Sequence, residues 1–402
     1  MELEKNIPEG WVETSIGELA ELLTDYVANG SFASLKENVT YLRDGEGYAR
    51  LIRLADHNKN YKGEAVFVNE HSYMFLKKSK LYPGDLIISN VGEYSGTLFR
   101  APNLDIPMTL GPNSILMKFG ESDDYMFYFL QGRVGKHLIN TVKSGSANPK
   151  FNKTEFKKIE FIIPPLPEQK AIAKVLNVFD DKIKLLQAQN KTLETMAQTI
   201  FKEWFGKYQI GDELPQGWML DSLGKAVKIK QGKYVKSEKI SEIQNHEFKY
   251  PLYGGGGIRG YLQSYVYDTP QVILTCRGNG CGLIQLSKNY STITNSCMTL
   301  EYDNSKLDFT FLYLFSKNIN FEIYTSGSAQ PQITVTNLEG LEIIIPNEII
   351  LKKFKGLVEP LFEKIKKNYY QIKSLTKTRD TLLPKLMSGQ VRVNNLKQTA
   401  DA

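Results

Sequence analysis

The sequence contains an internal repeat, and this repeat constrains the fold more than any other feature of the chain. Residues 8–11 (Pro-Glu-Gly-Trp) return 207 residues later as residues 215–218 (Pro-Gln-Gly-Trp). Residues 144–149 (Ser-Gly-Ser-Ala-Asn-Pro) return 182 residues later with one change, of Asn to Gln. The matched blocks keep their order, so we interpret the chain as a tandem duplication. The shorter second offset indicates that the first copy carries about 25 extra residues between Gly17 and Asn113.

Each copy combines a compact module with one long helix. Residues 1–165 and 208–346 mix short apolar runs with connections rich in Gly, Asn, Pro and Tyr, which is typical of strands with some helix. Helical periodicity then predicts long helices over 166–207 and 347–391, followed by a tail over 392–402. The predicted fold class is mixed α+β, with two globular domains joined by two long helices in a pseudo-two-fold repeat.

The two helices share a heptad pattern that predicts an antiparallel coiled coil. Mostly apolar residues recur every seven positions in two series per helix, and we call them seam positions. In the first helix they are Ile172, Phe179, Leu186, Leu193 and Ile200 with Leu176, Ile183, Asn190, Ala197 and Trp204. In the second helix they are Phe354, Leu361, Asn368, Leu375 and Leu382 with Val358, Ile365, Ile372, Arg379 and Leu386. If Ile172 faces Leu386, then Asn190 faces Asn368 in one layer that would fix the register. The competing expectation is that both asparagines face solvent. Pro360 predicts a kink or restart in the second helix.

The amino-acid composition limits the classes of protein to which the chain can belong. The 402 residues are 42% hydrophobic and carry a net charge of +6, which is enough apolar material for two cores and only a mild basic excess. The region 352–385 holds ten basic and three acidic residues, a pattern that a solvated helix face also explains. Three cysteines and no run of about 18 apolar residues predict a cytoplasmic chain without a disulfide framework, export signal or membrane span.

Motifs for chemistry are missing from the sequence. Neither a Walker A pattern nor the Asn/Asp-Pro-Pro-aromatic motif of adenine methyltransferases occurs. Residues 255–260 satisfy a dinucleotide-binding spacing, but strand-like residues follow them, which favours a glycine-rich loop. Cys276, Cys281 and Cys297 with the distant His246 lack paired zinc-ligand spacing, so we expect buried free thiols. We therefore expect a chain that binds no metal or cofactor.

The combined motifs resemble the specificity subunit of type I restriction-modification systems. The resemblance is carried by the two Pro-x-Gly-Trp openings, the Ser-Gly-Ser-Ala segments, the Pro-Pro-Leu-Pro-Glu-Gln-Lys run at 164–170 and the Leu-Leu-Pro-Lys-Leu-Met-Ser-Gly run at 382–389. It covers nearly the whole chain. In the second copy Pro-Asn-Glu-Ile at 346–349 replaces the first copy's proline-rich run, so identical docking surfaces on the two helices are not implied.

The resemblance implies a DNA-reading subunit without catalysis of its own. Each module would be a target recognition domain that reads one half of a bipartite, asymmetric target in double-stranded DNA. The helices would space the modules and dock two modification (methyltransferase) subunits, which bring S-adenosylmethionine. Restriction subunits would bring the ATP-dependent motor and nuclease, with Mg. No cofactor would bind this chain, and no membrane is implied.

Candidate contacts to DNA lie in loops, where cations and amides can hold phosphates and forked side chains can read base edges. In the first module they are Asn58, Lys59, Tyr61, Lys62, Asn90, Glu93, Tyr94, Lys143, Ser144, Lys150 and Lys153. In the second module they are Lys233, Tyr234, Tyr253, Arg259, Arg277, Asn279, Ser326 and Gln330. The aligned pair Glu93 and Asn279 illustrates how one frame could read different bases, since an acid accepts from cytosine N4 and Asn pairs with adenine.

Two other functions are compatible with parts of the pattern. One is an adapter that does not bind DNA, with a coiled coil for partner helices and two modules for protein or carbohydrate ligands. The other is an enzyme that uses a site without a recognisable motif. Strong salt dependence of duplex binding would favour DNA over the adapter, because each neutralised phosphate releases counterions.

Overall fold

A computed structural model of the protein describes residues 7–43, 47–278, 280–302, 307–327 and 331–393. The chain divides into two compact units. Unit 1 holds the residues up to Lys184 together with those from Lys373 onward, and unit 2 holds Leu185–Ile372. Each unit therefore contains one globular module and a part of each long helix.

The first module is a mixture of short strands and short helices. Its strands are β1 (Val12–Ser15), β2 (Leu22–Asp25), β3 (Tyr41–Arg43), β4 (Ala49–Ile52), β5 (Val66–Val68), β6 (Lys80–Leu81), β7 (Leu86–Ser89), β8 (Leu98–Arg100), β9 (Met108–Leu110), β10 (Ser114–Lys118) and β11 (Glu160–Ile163). Its α-helices are α1 (Ile16–Leu19), α2 (Phe32–Asn38), α3 (Leu54–Asn58), α4 (Glu70–Phe75), α5 (Asp123–Gln131), α6 (Arg133–Thr141) and α7 (Lys153–Lys157). Three 3₁₀ turns lie at Tyr26–Asn29, Lys77–Ser79 and Gly120–Ser122.

The long helix α8 (Leu166–Phe205) and the second module follow. The strands of this module are β12 (Met219–Ser222), β13 (Val227–Gln231), β14 (Tyr250–Gly254), β15 (Gly257–Leu262), β16 (Val272–Thr275), β17 (Ile284–Leu286), β18 (Thr292–Ile293), β19 (Cys297–Tyr302) and β20 (Glu342–Ile345). Its helices are α9 (Leu223–Ala226), α10 (Phe309–Lys317) and α11 (Val335–Glu339), with 3₁₀ turns at Ser237–Lys239 and Phe321–Tyr324. The long helix α12 (Glu348–Met387) completes the described elements.

The two modules repeat the same sheet frame. Each has a four-stranded sheet, in the order β2-β10-β7-β8 in the first and β13-β19-β16-β17 in the second, and a two-stranded ribbon, β1-β11 and β12-β20. The central strands pair antiparallel in both sheets, with Ser114 opposite Ser89 in the first and Cys297 opposite Thr275 in the second. β7 and β16 are buried along their whole length because both faces of these apolar strands are covered.

The modules differ in the sheet added to this frame. The first module adds five strands in the order β3-β5-β4-β9-β6, whereas the second adds three in the order β15-β14-β18. The difference falls between the shared strands, where the offsets predict extra residues in the first copy. Residues 255–260 form the turn and strand of the β14-β15 hairpin, so a strand follows these glycines, as predicted.

The long helices are antiparallel in each unit. In unit 1, Ile172 and Leu386 are fully buried in one core. In unit 2, the Trp204 and Phe354 ring centroids lie 5.9 Å apart, and the Asn368 amide donates to Asn190. Every heptad seam position named above is buried or half-buried. The predicted α+β fold with paired long helices is confirmed.

The expected restart at Pro360 is wrong, because α12 runs without interruption from Glu348 to Met387. Pro360 lies on the exposed side of the helix, where one missing backbone hydrogen bond is tolerated. The buried Phe354 and Val358 on the opposite side hold the helix in the core of unit 2.

Candidate nucleic-acid interface

In the first module, two loops meet at the end of β7, and we call residues 90–97 and 143–150 the first corner. The Gly92 amide donates to the Pro149 carbonyl at 2.9 Å, and the amides of Ser144 and Lys150 each donate to the carbonyl of the other. The Asn90 side-chain amide donates to the Phe151 carbonyl at 3.0 Å. These bonds fix the backbone, so the side chains between them are presented on a rigid frame.

The first corner brings together several predicted contact residues. Glu93, Ser144 and Lys150 are exposed, and Tyr94 is 60% exposed. Lys143 is half-buried, and the loss of solvent lowers the pKa of its ammonium group. The corner therefore offers carboxylate, hydroxyl, aromatic and cationic groups, the types that DNA recognition uses.

The second module repeats this arrangement, and we call residues 276–283 and 325–332 the second corner. Ser326 and Gln332 exchange backbone hydrogen bonds of 2.8 and 3.0 Å, as Ser144 and Lys150 do in the first corner. Arg277 is exposed and forms a β-bridge with Gln332. Ser326 is also exposed. The predicted contacts Asn279 and Gln330 lie outside the described residues.

The loop after α3 presents a third group of predicted contacts. Asn58, Lys59 and Lys62 are exposed. Tyr61 instead packs against the core, and its hydroxyl donates to the Arg100 carbonyl at 3.4 Å. Burial raises the pKa of Tyr61 to about 12. Tyr61 thus anchors the loop, and the other side chains are free to contact a ligand.

Like Tyr61, the predicted contacts Tyr253, Lys153 and Asn90 have partners within the protein. Tyr253 is 5% exposed and its hydroxyl accepts a hydrogen bond from the Lys288 amide at 3.1 Å, so its ring cannot stack on a base in this conformation. The Lys153 ammonium lies 2.9 Å from the carboxylate of Asp25. The side chain of Asn90 holds the Phe151 backbone, as described above. These three side chains therefore have partners within the protein, and their direct contact with DNA stays a prediction.

The remaining predicted residues of the second module are accessible. Lys233 and Arg259 are exposed, and Tyr234 is 74% exposed. Lys233 follows β13 by two residues, and its amide donates to the Ile293 carbonyl. The backbone is therefore ordered where these cationic and aromatic side chains project.

Sequence reasoning missed residues beside the first corner. Lys136 and Asn140 on α6 line the same cleft as Glu93, Tyr94 and Lys143. Residues 136, 140 and 143 follow helical spacing, so the signal for one shared face was present in the sequence.

The thiols and histidines have other surroundings. Cys276 and Cys297 are buried, as expected, whereas Cys281 is only half-buried, and burial raises the pKa of all three thiols. His57 stacks on Phe99 at 4.6 Å, and desolvation lowers its pKa. Within the described ranges, no three His, Cys, Asp or Glu side chains are grouped to hold a metal ion. Nor does any helix in this part have the length and apolar character to cross a bilayer.

The two seam asparagines form a polar layer inside unit 2. Asn368 is 1% exposed, and its amide donates to Gln189 at 2.7 Å and to Asn190 at 2.8 Å. The predicted contact is present, so the solvent-facing alternative is wrong for Asn368, while Asn190 is half-buried. The Asn368 carbonyl oxygen is buried, and no described residue donates a hydrogen bond to it. A polar layer of this kind favours one pairing of the helices over shifted ones.

Comparison with known proteins agrees with this geometry. The chain is 29% identical over 320 residues to the type I restriction enzyme MjaIX specificity subunit of Methanocaldococcus jannaschii, covering 71% of this chain and 73% of the relative. It is 24% identical over 337 residues to the EcoprrI specificity subunit of Escherichia coli, covering 78% and 81%. The crystal structure of the S subunit from M. genitalium matches the fold with a TM-score of 0.55 at 20% identity, over 96% of this chain and 98% of that one.

The family profile described as the type I restriction modification DNA specificity domain matches twice, at residues 8–195 and 215–374. The two matches coincide with the two copies of the repeat and together cover most of the chain. This finding does not favour the alternative of an adapter that does not bind DNA. The chain belongs to the type I restriction-modification specificity subunit family and carries two specificity domains in one polypeptide.

Proposed function

We propose that the chain reads a bipartite, asymmetric target in double-stranded DNA, with one module on each half. The observation that carries this proposal is the pair of corners, which share one backbone frame and present different side chains. Lys143 and Lys150 in the first corner align with Thr325 and Gln332 in the second. Because the two corners share a backbone frame but carry different side chains, we expect the two modules to dock on DNA in related ways and to recognise different base sequences.

The exposed groups divide by chemistry. Lys59, Lys62 and Lys150 supply charge to backbone phosphates, which gives affinity without sequence preference. Glu93 can accept from cytosine N4, and Arg277 can donate two hydrogen bonds to guanine O6 and N7. The tyrosines Tyr94 and Tyr234 add apolar contact area beside these polar groups.

The long helices space the half-sites and dock two modification subunits in this proposal. Each helix has 40 residues, or roughly 60 Å at 1.5 Å per residue, against about 34–36 Å per turn of duplex. On α8, Val178 is 62% exposed, Leu185 60% and Met196 47%. Exposed apolar side chains on a helix suit contact with a protein partner.

Catalysis belongs to the partners in this proposal. The chain acts in the cytoplasm and binds no cofactor. Two modification subunits supply S-adenosylmethionine and methylate adenine in each half-site, and restriction subunits supply the ATP- and Mg-dependent motor and nuclease. The family membership supports this division of roles.

The test is to map methylated adenines in cells that contain the modification subunits with and without this chain. We expect a split sequence to be methylated only when the chain is present. Replacing residues 219–345 by the second module of another family member should change one half of the methylated sequence and leave the other half intact. Methylation that is indifferent to the chain, or a replacement that changes both halves, would contradict the proposal.

A further inference from the structure

A cleft of about 410 Å³ lies against the first corner. One wall is the loop after β7, and the other is formed by α5 and α6. Lys136, Asn140 and Lys143 line it from α6 and the residues that follow, and Ser95 lines it from the loop. Lys143 is half-buried, and neither it nor Lys136 forms an ion pair with any described residue.

The loop is shaped to bring its backbone against Lys143. Gly92 and Gly96 have φ of 98° and 88°, which other residues adopt only with strain. A Cβ at Gly96 would lie 3.1 Å from Ile139 Cγ2 and 3.2 Å from Lys143 Nζ. The absence of a side chain at position 96 therefore lets the ammonium group lie beside the loop backbone.

Two polar groups in this cleft lack partners that a folded protein normally supplies. Ser95 is 5% exposed, and its Oγ has no hydrogen-bond partner among the described residues. A buried hydroxyl without a partner is destabilising, because it has lost its hydrogen bonds to water without replacing them. The half-buried ammonium of Lys143 likewise lacks an anion, and burial lowers its pKa. An anionic ligand with acceptor oxygens would satisfy both groups.

The second corner repeats the left-handed glycine of the first corner, with different side chains at the aligned positions. Gly282 repeats the left-handed conformation, with φ of 91°, and a Cβ there would lie 3.4 Å from Phe321, which aligns with Ile139. The residues that align with Ser95, Lys136, Asn140 and Lys143 are Cys281, Asn318, Glu322 and Thr325. In the first cleft two lysines outweigh the one carboxylate, Glu93, whereas the aligned residues of the second include Glu322 and no cation.

We propose that the cleft of the first module binds a phosphate group of the DNA backbone, held by Lys143 and Lys136 with hydrogen bonds from Ser95 and Asn140. This inference rests on the proposed function and deepens it. The positions of the second module that align with Lys136 and Lys143 hold Asn318 and Thr325, so the two modules hold the backbone differently. The first corner then carries a phosphate contact that is independent of the base sequence.

The test compares Lys143→Gln with Lys158→Gln in the full chain bound to its modification subunits. Lys158 is an exposed lysine of the same module, paired with Glu155 at 3.0 Å, so the control removes the same charge away from the cleft. Duplex affinity is measured over a series of salt concentrations. Loss of one phosphate contact should reduce the slope of log affinity against log salt by about 0.9, which is about eightfold weaker binding at 0.1 M salt. Lys158→Gln should leave the slope unchanged, and both variants should methylate the same sequence.

A slope that Lys143→Gln leaves unchanged, while the parent complex still binds its target with salt dependence, would overturn the cleft assignment and leave the proposed function intact. A parent complex with no preference for any split duplex would instead remove the proposed function. Replacing chloride by inorganic phosphate at constant ionic strength distinguishes a DNA phosphate from free phosphate as the ligand of the cleft. Thermal stabilisation by phosphate that Lys143→Gln abolishes, with an unchanged duplex slope, would assign the cleft to free phosphate and overturn the DNA contact. Thermal unfolding of both variants without ligand should match the parent, which shows that the fold is intact.

Discussion

Replacement of Phe354 by alanine tests the packing that joins α12 to the second module. Phe354 is fully buried, and its ring centroid lies 5.9 Å from Phe201, 4.9 Å from Phe205 and 6.5 Å from Phe311. Loss of the buried side chain costs about 2–3 kcal/mol in transfer free energy. A residual cavity of roughly 80 Å³ adds about 2 kcal/mol at ~24 cal/mol per Å³. We expect the free energy of unfolding of unit 2 to fall by about 4–5 kcal/mol.

Urea unfolding followed by tryptophan fluorescence measures this change, because Trp204 lies 5.9 Å from the Phe354 ring. Phe32→Ala is the matched control, since Phe32 is 85% exposed and its loss should change the free energy by no more than ~0.5 kcal/mol. Phe354→Ile places there the residue found at the corresponding position 172 and should cost less than alanine. A loss below about 1.5 kcal/mol for Phe354→Ala would refute the packing argument.

Three further predictions concern the seam, the tyrosines and the helix length. Asn368→Leu should change the free energy of unfolding by only ~1 kcal/mol, because two lost hydrogen bonds are offset by removal of an unpartnered oxygen, whereas Asn368→Asp should lower it by about 3 kcal/mol or more in the same urea assay. Burial raises the pKa of Tyr61 and Tyr253 to about 12, so their contribution to stability is complete below pH ~10 and is lost as the pH rises through 12. When the free energy of unfolding is measured over this pH range, Tyr253→Phe should make its decline shallower. Seven residues added to both α8 and α12 lengthen each helix by roughly 10 Å. The unread spacer in the methylated sequence should then grow by about three base pairs at ~3.4 Å each. An unchanged spacer would contradict the proposed spacing role of the helices.

The repeated and periodic parts of the sequence predicted their structure well. The duplication fixes which strands correspond, and the heptads place the seam residues inside. These signals are local or involve many residues, so a single exception such as Pro360 does not remove them. The Asn190–Asn368 contact follows from the same periodicity, because one facing pair of residues sets all the others.

Individual contact residues were less predictable, because a loop residue's role depends on partners that are distant in sequence. Tyr253 lies on β14, and its side chain is buried in a cluster with Ile273, Ile293 and Cys297. Lys153 forms an ion pair with Asp25, which lies 128 positions earlier in the chain. The cleft beside the first corner depends on the approach of the β7 loop to α6, which no spacing within either segment encodes.

The two-stranded ribbons at the base of the modules have a consequence for how such chains diversify. Val12 pairs with Ile163 in the first ribbon, and Met219 pairs with Ile345 in the second. The backbone therefore enters and leaves each module at neighbouring points, about 4.8 Å apart across the pair. Whatever length of polypeptide lies between them, the helix that follows starts from the same place. Genetic recombination at these two points could then deliver a new specificity in one event, without disturbing the rest of the molecule.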